Sequence, residues 1–161
     1  MFQLNKSFSM KITSTFKHNQ EIPVTYTCLG PNISPPLQFE ELPEGTESLV
    51  LIFEDVDATP KPWVHWMVFN IPASTTQVSE GTIPEGSTEG LANNHSFGYE
   101  GPCPRYFHGT HHYWFTLYAL DIMLDLPKES EREDVEEKMK GHILEKAELL
   151  GLCTRPADLQ G

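Results

Sequence analysis

The amino-acid sequence predicts a mainly β domain closed by one C-terminal helix, and three observations carry that reading. Thirteen prolines and eleven glycines cut the chain into many short segments, which suits a strand-rich body better than a helical bundle. Three apolar runs of strand length, Ser48–Phe53, Trp63–Ile71 and His111–Leu120, are set off by acidic residues or turn formers. A helical period shows only in the last third of the chain.

Taken in order, Lys11–Phe16 alternates in part, and His18-Asn19-Gln20 reads as a turn. Val24–Cys28 is a short, β-branched run closed by Gly30-Pro31-Asn32. Ile33-Ser34-Pro35-Pro36 is expected to be extended, because a residue before proline is pushed out of the helical region. Ser48–Phe53 is continuously apolar and gives the strongest signal of a buried strand. Trp63–Ile71 is a second strand, ended by Pro72, and a loop-rich stretch follows from Ala73 to Arg105. His111–Leu120 is the third strand. Ser130 followed by Glu133 has the form of a capping box. Val135, Met139, Ile143, Ala147 and Leu150 then recur every three or four residues, predicting a helix of roughly twenty residues with Gly151 as its stop. Such a helix packs on a sheet as a lid or end cap, with the acidic run Glu129–Glu137 as its solvated face.

No repeat or linker divides the chain, so residues 1–161 are expected to form one domain. The 39% hydrophobic and 11% aromatic content is that of a globular protein, and a chain near this length buries about 68–70% of its unfolded surface. The formal charge of −12, with only 11 basic residues, argues against nucleic acid and against adhesion to an anionic membrane. No apolar run approaches the ~20 residues of a membrane helix, so stable membrane insertion is not expected. Met1–Phe8 lacks a basic segment followed by an apolar one, so no secretory signal is read there. Cys28, Cys103 and Cys153 form an odd set without CxxC or framework spacing, which fits a reducing cytoplasm.

The residues able to carry chemistry gather around the second and third strands. Side chains alternate along a strand, so His65 is expected to share a face with Trp63, Met67 and Phe69, and His111 with Tyr113, Phe115 and Leu117. If those faces meet, His65, His111 and Tyr113 stand at the rim of a core and form a mouth. Glu54-Asp55-Val56-Asp57 follows a buried strand, where a carboxylate must be solvated or paired. Asp55 beside an imidazole would favour its charged form; a turn in which Asp side chains bond their own backbone is the competing reading. Gly98-Tyr99-Glu100-Gly101-Pro102-Cys103-Pro104 can hold backbone N–H groups toward an anion, although such loops are commonly plain turns. His65, His111, His112 and Asp55 are metal-ligand types, but His111 and His112 point to opposite faces, and no metal is expected. No GxSxG motif is present, and a Cys103–His111 dyad is a minor alternative.

These elements, in this order, resemble the phosphatidylethanolamine-binding protein (PEBP) family, also called Raf kinase inhibitor-like proteins, in the style of its bacterial and archaeal branch. The matching pieces are Glu54-Asp55-Val56-Asp57-Ala58, Trp63-Val64-His65-Trp66 leading to Asn70-Ile71-Pro72, Gly98–Pro104, and Gly109-Thr110-His111-His112-Tyr113 leading to Leu117–Asp121. Ile33–Leu37 and Met139–Leu144 also fit, so the resemblance spans nearly the whole chain. It implies a β-sandwich of a large antiparallel sheet and a smaller sheet with a C-terminal helix, and a pocket for phosphate-type anions such as phospholipid headgroups. By position, Asp55, Asp57, Trp63, His65, Gly101, Pro102, His111 and Tyr113 correspond to the pocket-lining residues. In that role His65 and His111 donate when protonated, Tyr113 adds a hydroxyl, N–H groups near Gly101 complete the cradle, and Asp55 orients an imidazole or accepts from a headgroup ammonium. Val56 and Thr59 stand where the family has prolines, with Pro60 shifted by one. Arg105-Tyr106-Phe107-His108 replaces a shorter link, and Arg105 would add a positive charge at the rim.

The reading that follows is a cytoplasmic, non-enzymatic binding or regulatory protein that needs no cofactor. Its expected partners are a small anion or phospholipid headgroup, a kinase or protease that it modulates, and a second copy of itself. The alternatives are a small hydrolase or metal-dependent enzyme using His65 and His111, and a pure protein-interaction module.

Overall fold

The computed structural model describes residues 9–159; the Met1–Phe8 segment read above for a secretory signal lies outside them. Among the described residues nine strands form two sheets. The smaller has the order β1 (Lys11–Thr13), β3 (Leu37–Glu40), β6 (Gln77–Val78). The larger runs β2 (Gln20–Glu21), β9 (Ile143–Thr154), β8 (Thr110–Leu120), β4 (Ser48–Asp55), β5 (Trp63–Pro72), β7 (Thr88–Glu89). Its pairings are antiparallel except β2 with β9. The helix α1 (Arg132–Met139) lies between β8 and β9 in the chain. This is the expected two-sheet, mainly β architecture, and the three strands read from apolar runs are its centre.

The composition of β4 explains its place. All eight residues of Ser48–Asp55 are buried, because the strand is covered on both faces, as a continuous apolar run requires. Leu49, Leu51 and Phe53 face a core shared with the small sheet through Ile12, Leu37 and Phe39. Val50 and Ile52 face the opposite side, where Val135 and Met139 of α1 close a second, smaller core. The helix therefore packs on the sheet as expected, but it is short.

Three expectations fail locally. The helix ends at Met139, and Gly141 turns the chain at φ 80°, a conformation that L side chains rarely adopt. Ile143, Ala147 and Leu150 then lie on β9, which pairs with β8 along nearly its whole length. A run of cross-strand bonds outweighed a helical period of five residues. Gly151, read as a helix stop, sits within β9 where a Cβ would come 2.4 Å from Ile22. The capping box is displaced by one residue: Glu131 and Asp134 bond reciprocally, while Ser130 Oγ donates to Pro127 O at 2.6 Å. Val24–Tyr26 is a 3-10 turn and not extended. Its neighbour Cys28 is joined to Cys103 in a disulfide, which leaves Cys153 as the free thiol. The two partners are 75 residues apart, a separation no local spacing rule announces.

Candidate functional site

One end of the large sheet gathers most of the predicted residues. The last residue of β4, Asp55, stands between Trp63 of β5 and Tyr113 of β8 in register, so three strand ends converge. A cavity of about 590 Å³ opens there. Of the eight predicted residues, Asp55, Asp57, Trp63, His65, Gly101, His111 and Tyr113 line it. Pro102 does not; its carbonyl turns away and accepts from the N–H of Cys28 at 3.0 Å.

The position of His65 depends on a bulge. Phe53 pairs with Trp66 and Glu54 with Val64, so His65 is an extra residue with no partner in β4. The bulge re-aims the strand. His65 and Trp66 both turn toward the inner core, while Met67 and Phe69 pass to the helix side. The expected sharing of a face by His65, Met67 and Phe69 is thus wrong, whereas His111 and Tyr113 do share theirs with Phe115 and Leu117. The His65 ring meets Tyr113 edge-on at 5.3 Å and lies 5.8 Å from Phe53.

Both imidazoles are fixed through Nδ1. His65 Nδ1 donates to the carbonyl of Glu100 at 2.7 Å, and a carbonyl can only accept, so this nitrogen carries a proton. His111 Nδ1 donates to Asp55 Oδ2 at 2.7 Å, with the carboxylate 7% exposed. Asp55 Oδ1 meanwhile accepts the N–H of Asp57 at 2.9 Å. The two readings of Asp55, as imidazole partner and as turn former, are both realised. In each neutral ring Nε2 is left as a bare acceptor, and a second proton converts it to a donor. Burial lowers the pKa of His65 against the upward pull of the Glu100 carbonyl and the Asp55 charge. Burial raises Tyr113, helped by the neighbouring Asp55 charge, so its phenol keeps its proton.

Several contributors escaped the sequence reading. Asn32, from a distant turn, accepts the N–H of Gly101 at 2.8 Å, so this N–H is not offered to the cavity as expected. A Cβ on Gly101 would stand 2.0 Å from the Tyr26 carbonyl, and only glycine permits that approach. Phe107 stacks on His111 at 3.8 Å. Arg155 holds the Phe107 segment by donating to the carbonyls of Pro104, Arg105 and Phe107 at 3.0–3.4 Å. Arg105, expected to bring charge, does not line the cavity. Among the described residues of its lining there are three carboxylates, Asp55, Asp57 and Glu100, and no lysine or arginine. His112 points away and pairs with Asp57 at 2.8 Å. Cys103 is oxidised, so a Cys103–His111 dyad does not exist in this state. Among the described residues no three His, Cys, Asp or Glu side chains are grouped to hold a metal.

The fold and the cavity define a class: a two-sheet β-sandwich whose strand ends form a small pocket based on paired histidines. The family model described as phosphatidylethanolamine-binding protein matches residues 12–154, and the chain belongs to that family. Among relatives, a UPF0098 protein of Methanothermobacter thermautotrophicus is 46% identical over 148 residues, covering 89% of this chain and 97% of its own. One from Aquifex aeolicus is 41% identical, covering 96% and 94%. A crystal structure of a PEBP homologue from Chlamydia trachomatis superposes with a TM-score of 0.87 at 37% identity, covering 92% of this chain and 99% of that one. E. coli YbcL, described as a member of the mammalian PEBP family, gives 0.84 at 27% identity, covering 91% and 99%.

Proposed function

We propose that this chain is a single-domain binding protein whose strand-end cavity takes a phosphate-type group that carries an amine, as a phosphoethanolamine headgroup does. The observation that supports it most directly is the pinning of both imidazoles through Nδ1. Each ring then presents one titratable nitrogen, and protonation supplies two donors to anionic oxygens. The three carboxylates in the lining support the choice of an amine-bearing ligand. With both rings charged the lining still sums to −1, so a bare dianion is held only by the local hydrogen bonds of the protonated rings and binds weakly, whereas a ligand with an ammonium also finds Asp55, Asp57 or Glu100 as acceptors. Trp63, 41% exposed, offers an aromatic face to the same ammonium.

A regulatory role toward a kinase or protease rests on family analogy, since fold alone does not fix function. The Asp55–His111 pair gives a hydrolytic alternative its one supporting observation, and turnover lost in Asp55→Asn would favour it. We place the protein in the cytoplasm, where, outside hyperthermophiles, a disulfide is commonly transient, catalytic or redox-sensing; cell fractionation tests the placement.

The binding proposal is tested by NMR titration of the histidine rings with phosphoethanolamine and with inorganic phosphate, in wild type and His65→Ala. Saturable shifts at His65 and His111 are expected, with phosphoethanolamine binding the tighter and the mutant losing about tenfold, one charge-assisted hydrogen bond. Flat titrations at millimolar ligand would remove small-anion binding and leave the protein-interaction module.

A further inference from the structure

The Cys28–Cys103 disulfide lies at the junction of the two segments that hold the imidazoles. Three residues before Cys103, the Glu100 carbonyl accepts from His65. Four residues after it, Phe107 stacks on His111. Cys103 itself lines the cavity, and both cysteines are only partly buried. We infer that this disulfide is a thiol–disulfide exchange site opening on the ligand cavity, whose substrate is a dithiol reductant and whose reduction opens the cavity wall. The inference deepens the binding proposal by adding its control.

A thiolate of the dithiol attacks Cys103 Sγ, forming a mixed disulfide, and Cys28 leaves as a thiolate that takes up a proton. The second thiolate of the reagent then attacks its own sulfur in the mixed disulfide and releases Cys103. The protein gains two electrons and the dithiol is oxidised to a disulfide. Cys153 takes no part, because burial, ahead of the Glu21 and Asp55 charges, pushes its thiol up to about 12, far from a reactive thiolate at neutral pH.

The tethers on the two sides of Cys103 are unequal, and this gives the site a signature. Upstream, the segment is held independently of the sulfur bond. Gly101 donates to Asn32, Cys28 donates to the Pro102 carbonyl, and Tyr99 Oη donates to the Tyr26 carbonyl at 2.7 Å. Downstream, the 3-10 turn Pro104–Tyr106 and Phe107 are held by the disulfide, by Arg155, which spreads one nitrogen over three carbonyls, and by the partly buried Phe107 ring against the core. Among the described residues no side chain accepts a backbone N–H there as Asn32 does upstream. Reduction therefore releases the Phe107 side first, so His111 responds and His65 keeps its partner.

The test records histidine ring resonances and phosphoethanolamine affinity for the oxidised protein, the same protein in dithiothreitol, and Cys28→Ser/Cys103→Ser. The expected result is a shift or broadening at His111 with His65 little changed, and an affinity about tenfold lower in dithiothreitol and in the double serine variant, restored by reoxidation in the wild type alone. By reciprocity, saturating phosphoethanolamine makes reduction less favourable by the same factor. Unchanged His111 resonances overturn the inference even if the oxidised protein binds no phosphoethanolamine, which would count separately against the binding proposal. Equal affinities in oxidised and reduced protein overturn it too. Loss of the native far-UV circular dichroism in dithiothreitol also overturns it, since the bond would then be a staple for the whole fold and not a control on one wall.

Discussion

At the scale of single residues, the pocket is a problem in proton placement. Each imidazole has one nitrogen committed to a fixed acceptor, so any anion must be met by a proton on the other. For His65 that proton is disfavoured by burial, and the sign of two effects follows. Without ligand, the unfolded chain accepts a proton at His65 more readily than the folded one. The His65 contribution to stability is therefore present above the ordinary value of about 6.5 and is lost as pH falls through the lower folded value. With an anion bound, the same protonation is rewarded by a hydrogen bond, and affinity rises as pH falls. Sulfate separates this from phosphate's own titration, because it keeps its charge across the range. Sulfate affinity measured calorimetrically between pH 8 and 5 is expected to climb and to keep climbing below about 6.5, with the low-pH part missing in His65→Gln. A flat profile would contradict the assignment.

At the scale of elements, α1 is pinned by an ion pair as well as by its apolar face. Glu54, next to last in β4 and 8% exposed, accepts both terminal nitrogens of Arg132, at 2.8 and 2.9 Å, and Arg132 Nε bonds Glu136 one turn on. The acidic run read as a solvated face is therefore partly an anchor for this arginine. Removing one member leaves a buried charge without a partner. Arg132→Ala is expected to cost about 3 kcal/mol in denaturant unfolding, and the double change Arg132→Met with Glu54→Gln to recover much of it. A double variant no more stable than the single one would show that the pair itself, and not the orphaned charge, held the helix.

At the scale of the whole molecule, 23 carboxylates face 11 cationic side chains. Such an excess repels itself in the compact state, and screening by salt relieves it. The thermal midpoint is expected to rise between low ionic strength and about 0.5 M sodium chloride, where the screening length falls toward ~3–5 Å; a falling midpoint would mean that attractive pairs such as Arg132–Glu54 dominate. Among the described residues no helix is long and apolar enough to cross a membrane.

The sequence by itself determined the mainly β class and its three central strands, because continuous apolar runs between turn formers have few other uses; the two-sheet arrangement was legible only through the family resemblance of its motifs. It also determined most of the cavity lining, since Asp55, Trp63, His65, His111 and Tyr113 stand at the ends of those strands and converge once the strands pair. The tertiary structure decided what depends on distant partners. Pairing with β8 turned residues 143–154 from a predicted helix into β9, because inter-strand bonds are invisible to a local period. A single unpaired residue in β5 rotated His65 into the core face, which strict alternation does not foresee. Asn32, Phe107 and Arg155 reached the site across gaps of many residues, and Cys28 met Cys103 over a separation of 75. Such contacts are fixed only when the chain closes on itself, so the pocket's outline was legible in the sequence and the bonds that hold it were not.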